Sequence, residues 1–200
     1  MSFSGSSSYI KVLENKWMAQ YAEEMTINLW AYAPNWSSVT NGGRIFSCTE
    51  SGGFNIEGGT SGYWRFAIYV ATNAAHTSHS YLSSVSSATS SMFYLADLSP
   101  GWHMFTIIYT TSGLTSFVDG VLHRNVDVTS YGVRYNTNAR LFLGCEASTA
   151  SPTSPYFNGK ESDFRLYYTA LTADDIKELY EILTSVDRNH NLYTREVIEI

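Results

Sequence analysis

The stretch Tyr156–Tyr180, YFNGKESDFRLYYTALTADDIKELY, changes its period part-way along. Up to Tyr168 it alternates, with Phe164, Leu166 and Tyr168 on one face, which is the two-residue repeat of a strand. From Thr172 the repeat becomes helical. Asp174 and Asp175 stand in the first turn, where carboxylates suit the positive end of the helix dipole, and Ile176, Leu179 and Leu183 make one apolar stripe. This predicts a strand followed by a short amphipathic helix laid on whatever the rest of the chain builds.

The rest of the chain reads as strands. MTINLWAYA (Met25–Ala33) puts Ile27, Leu29 and Ala31 on one face and Thr26, Asn28, Trp30 and Tyr32 on the other. Further strand-like runs follow at GRIFSC, GFNIEG, YWRFAIYV, WHMFTIIYT, TSFVDGVLHRNV and ARLFLGC, separated by Gly, Ser, Thr and Asn clusters. Asp119-Gly120 predicts a type I′ hairpin, a turn that needs φ > 0 at both central residues. The Ser-biased stretch Thr77–Met92 reads as an exposed loop or edge strand anchored by Tyr81, Leu82 and Val85. Two hundred residues suit one all-β sandwich, predicted as residues 1–183, with a tail at 184–200.

Charge argues against nucleic acid as a partner: 12 Lys plus Arg face 18 Asp plus Glu, a net charge of −6. The amino-terminal MSFSGSSSYIKV carries no signal-peptide pattern, and no apolar run reaches the ~18 residues that span a bilayer, so membrane insertion is not expected. Cys48 and Cys145 each close a strand-like run and read as buried free thiols, with a single disulfide as the alternative.

Taken in order, FSGSSSYIKV, MTINLWAYAP, GWHMFTIIYTTSGLTSFVDGVL and FNGKESDFRLYYTALTADDIKELY resemble the laminin-G-like branch of the concanavalin A-like lectins and glucanases, from about Phe3 to Tyr180. Gly159, Arg165, Leu166, Tyr167, Ala170, Leu171, Thr172, Asp174 and Ile176 match the family's closing motif position by position. The resemblance implies a jelly-roll sandwich of two antiparallel sheets, with the helix as an architectural element beside it.

The glucanase members of that family need two carboxylates on one strand face. The nearest string here is ESDFRL, where Leu166 stands in place of the second Glu of the family's Glu-x-Asp-x-x-Glu pattern. Glu161 and Asp163 are therefore read as an ordinary polar strand edge, and no catalytic residue is assigned. Calcium, which relatives hold in rim loops, has no supporting spacing in Asp97, Asp127 and Glu146. DRNHNLYTREVI starts like an EF-hand loop at Asp187, Asn189 and Asn191, but Leu192 replaces the turn Gly and Ile198 the bidentate Glu. His76 and His79 have ligand spacing only on a helix, which their Ser and Thr neighbours disfavour. No metal or cofactor is assigned. Asn35-Trp36-Ser37 fits a glycosylation acceptor by chance.

Recognition is what remains. Sugar sites pair an aromatic platform with short amide and carboxylate side chains, and Trp36, Tyr63, Trp64, Tyr81, Tyr131, Tyr135 and Tyr156 lie in or beside Asn- and Ser-rich segments that supply both. The tail VDRNHNLYTREVIE reads as a small hairpin and resembles segments that follow laminin-G-like modules in phage virion proteins, with His190 where Gly is usual. The expectation is a non-catalytic, lectin-like protein of the virion surface that adheres to host-surface or mucosal carbohydrate, its tail serving attachment to other virion proteins or oligomerisation. The alternatives are a structural virion protein, as capsid decoration or tail component, without a sugar ligand, and a glycan-cleaving enzyme; a bacterial cell-surface or extracellular setting is the alternative location.

Overall fold

The computed structural model describes residues 1–12, 22–36, 43–48, 52–58, 63–83, 93–94, 98–135, 140–148 and 151–188. In chain order they form strands β1 (Ser2–Ser4), β2 (Ile10–Lys11), β3 (Glu24–Ala33), β4 (Arg44–Ser47), β5 (Phe54–Gly58), β6 (Tyr63–Ala71), β7 (His79–Ser83), β8 (Phe93–Tyr94), β9 (Gly101–Thr110), β10 (Gly113–Val118), β11 (Val121–Asp127), β12 (Phe142–Leu143), β13 (Cys145–Ser148), β14 (Ser151–Tyr156) and β15 (Asn158–Tyr167), then helix α1 (Ala173–Arg188). One sheet has the order β1-β15-β3-β9-β10-β11, antiparallel throughout; the other has β13-β14-β4-β5-β6-β7, with β2, β8 and β12 attached. Tyr156 beside Arg44 makes a parallel contact in the second sheet. The expected two-sheet β-sandwich is thus what forms.

Alternation sets which side chains meet between the sheets. β3 turns Ile27, Leu29 and Ala31 inward, β9 turns Phe105, Ile107 and Tyr109 inward, and the facing sheet sends in Phe46, Phe54, Ile56, Trp64, Phe66, Ile68 and Val70. Trp36 stands edge-on to Trp64 and to Phe105, with ring centres 6.1 and 5.2 Å away. Large rings suit this space, because packed sheets lie ~10 Å apart. Burying each contributes about 1.5–3 kcal/mol. The thiols of Cys48 and Cys145 are free and buried, and burial pushes both up to about 12.

The hairpin between β10 and β11 turns at Asp119 (φ 52°) and Gly120 (φ 77°), as the Asp-Gly pair predicts, so that Val118 faces Val121. Asp119 does more than turn: one carboxylate oxygen accepts the Met104 amide at 2.9 Å, and the other lies 2.6 Å from His103 Nδ1.

α1 is capped by Thr172. The Asp175 amide donates to Thr172 Oγ1 at 3.2 Å, and the Thr172 amide donates to the Asp175 carboxylate at 2.8 Å, a reciprocal capping box with Asp in the usual place of Glu. Ile176 is fully buried among Met104, Ile108 and Phe117, and Tyr180 stacks on Trp30 at 5.8 Å and 13°. These partners alternate with the inward residues of β3 and β9, so the helix lies on the outer face of the six-stranded sheet, as expected of an architectural cap. It runs further than predicted. The boundary at residue 183 and the strand-like start of the tail at Val186 give way to helix as far as Arg188. Nothing in EILTSVDR breaks a helix, and Thr184 donates its hydroxyl to the Tyr180 carbonyl four residues back at 2.7 Å. Residues 189–200, which include the rest of the predicted hairpin, lie outside the described residues.

Candidate functional site

α1 covers one part of the outer face of the six-stranded sheet, and among the described residues no other element lies over the part beyond it, where Ser2, Lys160 and Trp102 are exposed. There the register lines up four side chains, one per strand: Ser2 of β1 beside Lys160 of β15, Lys160 beside Tyr32 of β3, and Tyr32 beside Trp102 of β9. All four alternate with inward positions, since Phe3, Ala31 and Phe105 belong to the interior and Gly159 is buried. The Tyr32 and Trp102 rings meet at 5.7 Å and 56°, forming an angled aromatic pair. The ammonium of Lys160 sits 5.1 Å from the centre of the Tyr32 ring, held by attraction to its π face. Trp102 keeps 42% of its surface in solvent, a large exposure for the bulkiest apolar side chain. Exposed Asn158 and Ser162 flank Lys160 on the same strand face. An exposed indole, a second ring at an angle, a fixed cation and short hydroxyl and amide groups can cover the apolar face of a sugar ring and bond its hydroxyls.

The predicted site residues fare differently. Trp36, Trp64 and Tyr135 are 0%, 0% and 2% exposed, so these rings serve the interior and offer no platform to solvent. Their Asn- and Ser-rich neighbourhoods suggested surface loops, but a two-sheet core of this width draws in large rings from loops as well as strands. Tyr63 begins β6 and Tyr81 lies in β7 opposite Tyr69, with side chains outside the described parts. Tyr156 is half-buried against Phe142, Cys145 and Ala147, next to Arg44. Tyr131 is 40% exposed, beside Ala71 at the other end of β6. Arg44 pairs with Glu57, and Glu57 with Arg65, six residues before Ala71, so Tyr156 and Tyr131 lie roughly 20 Å apart along the strand. The sequence reading missed Trp102 and Tyr32 because both sit inside strong strands. Their placement on the non-core alternation was the available signal.

The outer face of the nine-stranded sheet is polar instead. Asn55 and Glu57 alternate with interior Phe54 and Ile56, and the Arg44 guanidinium bridges Glu57 and Glu146, with Ser47 donating to Glu146 at 3.1 Å. Further along, His79 stacks on Tyr69 at 6.1 Å and Arg134 lies over the same ring at 5.6 Å; burial and the charge of Arg134 hold His79 below its ordinary range. This face has paired charges, and near its β2–β12 end Tyr9, 44% exposed, tilts against Phe142 at 5.9 Å.

Glu161 and Asp163 form no solvent-open pair. Glu161 lies opposite Ala31, is 2% exposed, and has no hydrogen-bond partner on either carboxyl oxygen; burial raises its carboxyl well above the ordinary range. Asp163, at a β-bulge with φ 54°, binds Arg165 through both oxygens at 2.9 and 2.7 Å. Of the residues weighed for calcium, Glu146 is committed to Arg44 and Ser47, Asp127 ends β11, Asp187 lies in α1, and Asp97 lies outside the described residues. Among the described residues no three of His, Cys, Asp and Glu gather in one place, and no helix is long and apolar enough to cross a membrane.

The family profile of the concanavalin A-like lectin/glucanases superfamily, laminin-G type, matches residues 4–177. The chain belongs to this superfamily. No curated protein matches it. Similar solved structures include the binding domain of botulinum neurotoxin DC in complex with rat synaptotagmin II, at 17% identity and a TM-score of 0.56 over 81% of this chain and 36% of that one. A structure of botulinum neurotoxin type C, whose cell entry is described as dependent on two ganglioside molecules, matches at 19% identity and 0.56 over 82% and 36%. The binding domain of serotype G matches at 16% identity and 0.61 over 92% and 42%. Identities this low carry the fold alone. The chain spans about two-fifths of the length of these relatives or less. Within the superfamily fold, then, this chain carries a jelly-roll sandwich with the exposed Trp102, paired with Tyr32, on the outer face of the six-stranded sheet.

Proposed function

We propose that the protein is a non-catalytic, lectin-like module that adheres to carbohydrate through the row Lys160, Tyr32 and Trp102. The observation that carries this reading is the exposed indole of Trp102, angled against Tyr32, with Lys160 and its neighbours Ser2, Asn158 and Ser162 further along the same face. Binding domains among the similar structures support it, as does a closing strand in which Glu161 is buried and Asp163 is engaged by Arg165. We further propose that it works on the surface of a phage particle, holding host-surface or mucosal glycans, with the tail at residues 184–200 used for attachment to virion proteins or to a second copy. The resemblance of that segment to virion-protein tails supports this setting.

The test is binding of the purified protein to a glycan array and to intact bacterial cells, beside a Trp102→Ala variant. Saturable binding that weakens roughly tenfold or more in the variant, about 1.4 kcal/mol, is expected. A structural virion role without sugar is favoured by one observation, the exposed Val121 and Leu122 on edge strand β11, at 68% and 58% exposure. An array without any bound glycan would select that reading.

A further inference from the structure

Resting on the carbohydrate reading, we infer that the glycan held by this row carries an acidic group, a carboxylate or sulfate, received by Lys160. The position of the ammonium argues for it. Lys160 stands between Ser2 and Tyr32 in the register, and its charge is held 5.1 Å from the Tyr32 ring centre, beside the platform formed with Trp102. A long flexible side chain tethered in this way loses less freedom when a ligand arrives.

The ammonium is also available. Among the described residues no carboxylate pairs with Lys160. Its neighbours on the strand face, Asn158 and Ser162, and Ser2 across from it, are neutral donors and acceptors that do not repel an anion. An ammonium bonded to a carboxylate or sulfate makes a stronger contact than one bonded to a hydroxyl. A ring stacked on Trp102 with its acidic substituent towards β15 meets Lys160 without any rearrangement of the sheet.

The charge of the whole chain sharpens the inference. At −6 the protein repels polyanions as a body, so a preference for acidic sugars has to arise at a local cation. A single lysine beside two rings suits one acidic substituent on a sugar. It does not suit the extended phosphate tracks that need several cations.

The test uses a printed array of matched pairs: sialyllactose against lactose, a glucuronate-terminated oligosaccharide against its glucose-terminated partner, and a 6-sulfated N-acetylglucosamine glycan against the unsulfated one. The full chain is expected to bind at least one acidic member about tenfold more tightly than its neutral partner, with the ratio narrowing in 0.5 M salt. Lys160→Met should collapse the ratio towards one, and Lys160→Arg should preserve most of it. Lys160 is exposed, and matching unfolding midpoints will establish that the variants fold. Binding of neutral partners as tightly as acidic ones, still sensitive to Trp102→Ala, overturns the acidic ligand and leaves the carbohydrate reading standing. An acidic preference that survives in Lys160→Met also overturns it. If no glycan binds at all, the carbohydrate reading falls and this inference with it.

Discussion

Glu161 offers the most direct quantitative test of the structure. Its carboxyl group lies between the sheets, 2% exposed, with neither oxygen hydrogen-bonded, and the nearby amino group of Met1 offsets the effect of burial only in part. Because the folded-state pKa is raised, the protonated form is the one that folds well. The group's contribution is fully present below its unfolded pKa, near 4.3, and is lost as pH rises towards the folded value, with a slope of at most about 1.4 kcal/mol per pH unit. An unsatisfied buried polar group costs about 1–3 kcal/mol in addition. Glu161→Met, similar in volume and apolar, should therefore raise stability at pH 7 by about 1–3 kcal/mol or more. Glu161→Gln keeps the shape and the unsatisfied polarity but cannot ionise, so it should flatten the pH dependence with little gain at pH 5. Urea unfolding at pH 5, 6, 7 and 8 measures all three proteins. A Glu161→Met protein less stable than the parent at pH 7, or three parallel pH profiles, would refute the reasoning.

The hairpin and the helix offer three more tests. Ile176→Ala empties a fully buried site between α1 and the sheet and should cost about 2–4 kcal/mol, seen as a fall of several degrees in Tm by calorimetry. Gly120→Ala combines φ 77° with a new Cβ 3.1 Å from Tyr180, so it should lower stability by about 1–2 kcal/mol and loosen the helix, readable as faster amide exchange in α1. His103 is held above its usual range by its hydrogen bond to Asp119, opposed by burial. Its contribution is present below the unfolded value of about 6.5 and is lost as pH rises through the folded one. The parent should therefore lose stability over that window and Asp119→Asn should lose less; equal slopes by thermal melts at pH 6 and 8 would count against the pair.

Much of the fold was legible because it rests on local rules. Alternation in Met25–Ala33 identified the inward face of β3, Asp119-Gly120 fixed the hairpin, and Thr172, Asp175 and Ile176 marked where the helix starts and which side it buries. The candidate site was less legible. Trp102 and Tyr32 read simply as strand residues, and whether their face is covered depends on where a helix far later in the chain comes to lie. Trp36, Trp64 and Tyr135 failed in the opposite sense: polar neighbours in sequence say nothing about a ring that reaches past them into the core. Glu161 could not have been foreseen either, since alternation assigns it an inward position but cannot tell whether a partner waits there.

The placement of β15 bears on how the chain reaches this structure. It sits between β1 and β3, so both strands acquire that neighbour only after residues 158–167 have been synthesised. Throughout most of translation β3 therefore keeps one ladder of amide and carbonyl groups open, with Trp30 not yet covered by Tyr180. Pairing across so long a stretch of chain is intrinsically slow, and an open strand edge is a template for association with other chains. Chains released before Tyr167 should accumulate as aggregates, and the full-length protein should gain solubility late and abruptly, once its final strand slots into the gap between its first strands.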